Sequence, residues 1–120
     1  MAKILVVDDS LSMQKMVSLT LKTAGYEVVE AADGKQALAI AQKESVDLVL
    51  SDVNMPNMNG IELCKKIRQI GNYKFTPFLM LTTESAGNLK MQGKDAGATG
   101  WLVKPFNPNQ LLSTVKKVLG

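Results

Sequence analysis

Short apolar runs alternate with helical apolar stripes along the whole chain. Lys3 to Val7 carries Ile-Leu-Val-Val, a continuous and β-branched run that predicts a strand buried on both faces. Met13, Met16, Val17, Leu21 and Ala24 then recur at three- and four-residue spacings, the stripe of an amphipathic helix, and Gly25 stops it. Glu27 to Ala31 predicts a second, weaker strand. Asp33 is placed to cap a helix whose inward face is Ala37, Leu38 and Ala41. Asp47 to Ser51 predicts the third strand, around Leu48-Val49-Leu50, and a loop rich in Asn, Met, Pro and Gly runs from Asp52 to Gly60.

Leu63, Cys64, Ile67 and Ile70 mark a third helix, and Phe78 to Leu81 a fourth strand. The fourth helix is expected over Glu84 to Ala96. Gly87 and Gly93 weaken it, each costing about 1 kcal/mol relative to Ala inside a helix, which makes it the expected mobile element. Gly97 ends it, and Trp101 to Val103 forms the fifth strand. Asn107 as cap, with Pro108 at the first helical position, opens a last helix with a core face of Leu111, Leu112, Val115, Val118 and Leu119.

Five strands alternating with five helices argue for an α/β fold, a doubly wound parallel sheet between two layers of helices. Right-handed crossovers leave few topologies, and the flavodoxin-like strand order 2-1-3-4-5 is the expectation. No linker, repeat or low-complexity segment interrupts the 120 residues, so residues 1–120 are read as a single domain.

Composition narrows the chemistry. The chain has no histidine and one cysteine, Cys64. That removes an intramolecular disulfide, the common zinc sets, the Cys–His nucleophile pair and the usual general base. Carboxylates, amines and hydroxyls are what is left. The net charge of +3 is spread over scattered lysines, with no basic run and no nucleic-acid motif, so no nucleic acid is expected as a partner. The first apolar run is too short for a signal peptide or a membrane span, which points to a cytoplasmic protein with no membrane contact.

In a doubly wound sheet the strand C-termini open on one edge, where ligands bind. Asp8 and Asp9 follow the first strand, Asp52 the third, Thr82 and Thr83 the fourth, and Lys104 the fifth. The second strand offers nothing comparable. Taken singly, each Asp reads as a turn or cap residue, Lys104-Pro105 as a loop and Thr82 as a strand-end residue. Together they bring three carboxylates, a hydroxyl and an amine to one rim from four strand ends. Three clustered carboxylates need a cation, and oxygen ligands without thiol or imidazole suit Mg²⁺, which also favours phosphate oxygens. A carboxylate is itself a nucleophile towards phosphorus, and a neighbouring lysine and threonine can steady the phosphoryl oxygens.

At these residues the sequence resembles the receiver domains of bacterial two-component response regulators, and the CheY-type chemotaxis regulators in particular. The matching stretches are Ile4-Leu5-Val6-Val7-Asp8-Asp9-Ser10, Asp47 to Asp52, Met55-Pro56 with Gly60, Met80-Leu81-Thr82, and Gly97-Ala98 through Lys104-Pro105-Phe106. They span essentially the whole chain in the family's order. The resemblance implies that Asp52 is the phosphoacceptor and that Asp8, Asp9, Asp52 and the backbone carbonyl of Asn54 hold Mg²⁺. Thr82 would be the switch hydroxyl, and Lys104 the partner of a phosphoryl oxygen. It also implies a cis peptide between Lys104 and Pro105. Asn54 and Glu84 occupy the two positions that tune dephosphorylation in the family, a pair similar to that of chemotaxis regulators. Trp101 stands where the family carries its conformational Tyr or Phe, and Thr83 where a smaller residue is common.

The implied function is that of a stand-alone switch and not an enzyme, with self-dephosphorylation only. A histidine kinase would donate the phosphoryl group, and a phosphatase could remove it. The chain closes at Gly120 directly after the fifth helix. Output is therefore expected by contact of a monomer with a downstream protein such as a flagellar motor component, through the fourth helix, fifth strand and fifth helix. A phosphorelay intermediate or phosphate sink is the alternative. A Mg²⁺-dependent phosphohydrolase of the haloacid-dehalogenase type would need an acid at position 54, where Asn54 stands. A flavodoxin would need a phosphate loop where Asp8 and Asp9 stand.

Overall fold

The computed structural model describes residues 2–82 and 87–119, the side chains of 87–90 excepted. Its elements follow the predicted alternation: β1 (Lys3–Val7), α1 (Leu11–Thr23), β2 (Glu27–Ala31), α2 (Gly34–Lys43), β3 (Leu48–Asp52), α3 (Gly60–Arg68), β4 (Phe78–Thr82), α4 (Gly87–Asp95), β5 (Gly100–Val103) and α5 (Pro108–Leu119). A 3₁₀ turn at Gly71–Tyr73 lies between α3 and β4. The five strands form one parallel sheet in the order β2-β1-β3-β4-β5, as expected.

Strand periodicity divides the core in two. Leu5, Val7, Val49, Phe78 and Met80 face one side, where they meet Ala37 and Ala41 of α2 and Leu63, Cys64 and Ile67 of α3. Ile4, Val6, Leu48, Leu50, Leu79 and Leu81 face the other, against Val17 and Leu21 of α1 and Leu111 and Val115 of α5. Successive side chains of a strand point to opposite faces, so a strand covered on both sides must be apolar throughout. β4 is buried at every position, as is β3, including its terminal Ser51 and Asp52.

Local chemistry sets the helix ends. Ser10 caps α1, with its hydroxyl accepting the Met13 N–H. Asp33 caps α2 through the Gln36 N–H, as predicted. Asn59 and Glu62 form a reciprocal capping box at α3. Asn107 and Gln110 exchange the same pair of bonds at α5. Gly25 and Gly97 follow α1 and α4 with φ of 98° and 99°, a conformation that suits glycine alone.

The differences from the sequence reading are local. The third strand runs one residue further than expected, so Asp52 is its last residue and not the first of the loop. Met16 and Ala24, assigned to the inward stripe of the first helix, are exposed, while Gln14 and Ser18 are buried there instead. Ile70 lies beyond the end of α3. The expected start of the fourth helix at Glu84 falls outside the described residues, as does Thr83.

Candidate functional site

Sheet register assembles the site. Val7 pairs with Ser51, so the next residues along, Asp8 and Asp52, stand side by side at the ends of adjacent strands. Asp52 pairs with Leu81, and Thr82 pairs with Val103, which places Thr82 and Lys104 on the other flank of the same rim. One carboxylate oxygen from each of Asp8, Asp9 and Asp52 lies within 4.8 Å of the other two. Lys104 Nζ reaches both buried acids, 3.3 Å from Asp8 Oδ2 and 3.4 Å from Asp52 Oδ2.

Asp8 is held on every side. Its N–H donates to the Ala31 carbonyl, and its Oδ1 accepts the Ser10 N–H at 2.9 Å. Asp8 and Asp52 are buried, whereas Asp9 is exposed at the mouth. Burial raises the pKa of Asp52 above the ordinary carboxylate value; the Lys104 ammonium opposes that shift, and the nearby Asp8 adds to it. The Asn54 N–H also turns towards Asp52 Oδ1, at 3.4 Å. Behind Asp52 the loop returns so closely that a Cβ on Gly60 would stand 2.4 Å from the Asp52 carbonyl oxygen.

Thr82 is fully buried at the end of β4, and its carbonyl accepts the Lys104 N–H at 2.7 Å. The Lys104–Pro105 peptide is cis, as the resemblance implied. Trp101 is partly buried. It packs on the α2–α3 side of the core, with its ring against Gly93 of α4. Glu84 lies outside the described residues.

The structure thus brings Asp8, Asp9, Asp52 and Lys104 together, with Thr82 and Asn54 at their side. Three carboxylates against one ammonium leave the cluster with uncompensated negative charge. The donors are all oxygen, with no imidazole in the chain and Cys64 buried on the core face of α3. Such a set fits a small hard cation. One contributor escaped the sequence reading. The second strand, which brings no functional side chain, supplies the Ala31 carbonyl, and Gln14 of α1 bonds it at 2.9 Å. A glutamine among the apolar positions of a helix was the available signal.

Residues 4–116 match the family model of the response regulator receiver domain. The chain is 40% identical over 117 residues to the alkaline phosphatase synthesis transcriptional regulatory protein PhoP of Bacillus subtilis; the match covers 98% of this chain and 48% of that protein. The chain therefore spans about half the length of the curated relatives of this kind. It is also 40% identical over 120 residues to a chemotaxis protein CheY homolog of Campylobacter jejuni, covering 98% of this chain and 92% of the relative. Among solved structures, chemotaxis protein CheY4 of Vibrio cholerae superimposes with a TM-score of 0.97 at 60% identity, covering 98% of both chains. An acidic rim built from the ends of β1 and β3, faced by a lysine from the end of β5, is thus set in a fold shared along its length with these regulators, and the chain belongs to the response regulator receiver domain family.

Proposed function

We propose that this chain is a phosphorylation switch in which Asp52 accepts a phosphoryl group from a phosphohistidine of a histidine kinase, with Mg²⁺ held by Asp8, Asp9, Asp52 and the Asn54 carbonyl. The carrying observation is the position of the Asp52 carboxylate, beside two acids and 3.4 Å from the Lys104 ammonium. When bound, Mg²⁺ would neutralise the acids and the phosphoryl oxygens. The chain's own groups do the rest. An Asp52 carboxylate oxygen forms the new P–O bond as the donor's P–N bond breaks, and the departing nitrogen keeps that electron pair. Lys104 shifts from its carboxylate partners to a phosphoryl oxygen, and the Thr82 hydroxyl supplies a hydrogen bond from the β4 side.

The finer assignment is to chemotaxis. Residues 1–120 act as one stand-alone cytoplasmic domain, monomeric, whose phosphorylated form binds a flagellar motor component. The near-complete mutual coverage with CheY4 supports this reading; the relatives of twice the length support a transcriptional output instead. Asn54 and Glu84 favour a short-lived phosphoryl group, removed by self-dephosphorylation or a phosphatase, over a relay.

The test is the intact mass after incubation with Mg²⁺ and a small-molecule phosphodonor. The native protein is expected to gain one phosphoryl group, and Asp52→Ala none. An equal gain in both, or none in either, overturns the assignment of Asp52. Binding of the phosphorylated protein to isolated motor switch components then tests the chemotactic output.

A further inference from the structure

Gln14 is 5% exposed, on the face of α1 that meets the sheet. A buried primary amide must find partners, because leaving its N–H groups bare forfeits their hydration with nothing in return. Helical side chains lean towards the helix N-terminus, so one at the fourth position of α1 falls back over the loop that precedes the helix. There Gln14 Nε2 donates to two carbonyls, Ala31 O at 2.9 Å and Asp8 O at 3.3 Å. Ala31 O also accepts the Asp8 N–H at 3.1 Å. The amide therefore stitches together the ends of two strands and the start of the acidic loop, and it fixes the peptide that joins Asp8 to Asp9.

We infer that Gln14 is the positioning residue of the acidic loop: it holds the Asp8–Asp9 backbone so that both carboxylates converge on Asp52. This inference rests on the phosphoacceptor reading above. The bond to Asp8 O falls on the Asp8–Asp9 peptide and restrains its rotation, and the bond to Ala31 O ties the same amide to the end of β2. The other bonds on this loop, from the Asp8 N–H to Ala31 O, from the Ser10 N–H to Asp8 Oδ1 and from Lys104 Nζ to Asp8 Oδ2, hold Asp8 on its amide and carboxylate sides, whereas Gln14 holds its carbonyl. Asp9 is exposed and its backbone begins at that peptide, so it is the ligand most dependent on it.

Gln14→Met keeps the length of the side chain and removes both donors. Metal partners of this outer kind commonly change affinity by tenfold or more. Gln14→Met is therefore expected to weaken Mg²⁺ binding, read by calorimetry, about tenfold. It is also expected to speed amide hydrogen exchange at Asp8 and Ser10. Val17→Ala, in the same helix but buried in the core, is the control for simple loss of stability. It should unfold earlier yet bind Mg²⁺ as the native protein does. Gln14→Asn, which keeps the donor on a shorter arm, should fall between. Equal Mg²⁺ affinity in Gln14→Met and the native protein overturns the inference, as does an equal loss in Val17→Ala. Failure of the native protein to bind Mg²⁺ at all overturns the phosphoacceptor reading instead.

Discussion

Lys104 Nζ lies 3.4 Å from Asp52 Oδ2, and this contact does not cancel what burial takes from the carboxylate. Burial holds the Asp52 pKa above its ordinary value despite the lysine. A carboxyl with a higher pKa folded than unfolded binds more protons in the native state. Folding stability then falls as pH rises from the unfolded value, about 3.9, through the raised native value. The penalty is complete above that window and absent below it. In metal-free buffer, Asp52→Asn is expected to melt higher than the native protein at pH 7, with the gain shrinking as pH falls through the window. Thermal unfolding of both proteins with a chelator present, from pH 3 to 8, checks this. An asparagine variant no more stable at pH 7 would mean that Lys104 compensates fully.

Gly60 sets a second constraint on the same residue. A Cβ there would meet the Asp52 carbonyl oxygen at 2.4 Å and Val53 Cα at 3.1 Å, both backbone atoms that cannot swing aside. Gly60→Ala is expected to destabilise the fold by about 1–3 kcal/mol, the usual cost of overpacking. Because the displaced atom belongs to Asp52, phosphoryl incorporation should fall as well. Gly71 is the control: nothing lies within 4 Å of its Cβ position, so Gly71→Ala should stay within about 0.5 kcal/mol of the native protein. Urea unfolding and intact mass measure both effects.

Much of this arrangement was legible in the sequence because its signals are strong and local. The runs Ile4–Val7 and Leu48–Leu50 are short and have no polar interruption, as a doubly covered strand requires. Asp33 and Asn107 read as caps and act as caps. The convergence of Asp8, Asp52 and Lys104 followed from topology, since a parallel doubly wound sheet brings every strand end to one rim. What escaped depends on tertiary context. The face of α1 was misjudged at Met16 because periodicity favours an apolar residue over Gln14, whose burial is permitted only by two carbonyls 6 and 17 positions away. Asp52 read as a loop residue because its polarity hides the strand pairing with Leu81.

Cys64 offers a probe of the opposite layer. It is fully buried, its Sγ donates to the Ala96 carbonyl at 3.4 Å, and burial pushes the thiol up to about 11. Only the thiolate reacts readily. At pH 8 the folded protein should therefore resist a soluble thiol reagent, and labelling should rise with urea as the packing of α3 opens. One equivalent is expected in full denaturant. Rapid native labelling would show that the α3 layer opens far more often than its packing implies.

The sole tryptophan reports on the contact between β5 and α4. Trp101 rests against Gly93, where an added Cβ would lie 3.1 Å from Trp101 Cζ3, so the indole fills the space that the glycine leaves in α4. Its Nε1 is shut off from solvent and has no hydrogen-bond partner among the described residues. Packing alone holds the ring, and a rearrangement that gave Nε1 a partner would recover the cost of an unmade bond. Phosphorylation at Asp52 is therefore expected to change the Trp101 emission in the native protein. Asp52→Asn, given the same Mg²⁺ and phosphodonor, should show no change. Gly93→Ala should alter the emission without any donor, by crowding the ring. An emission that stays constant while the mass shows a phosphoryl group would mean that Trp101 is a fixed packing residue, and that any switching passes through α4 without it.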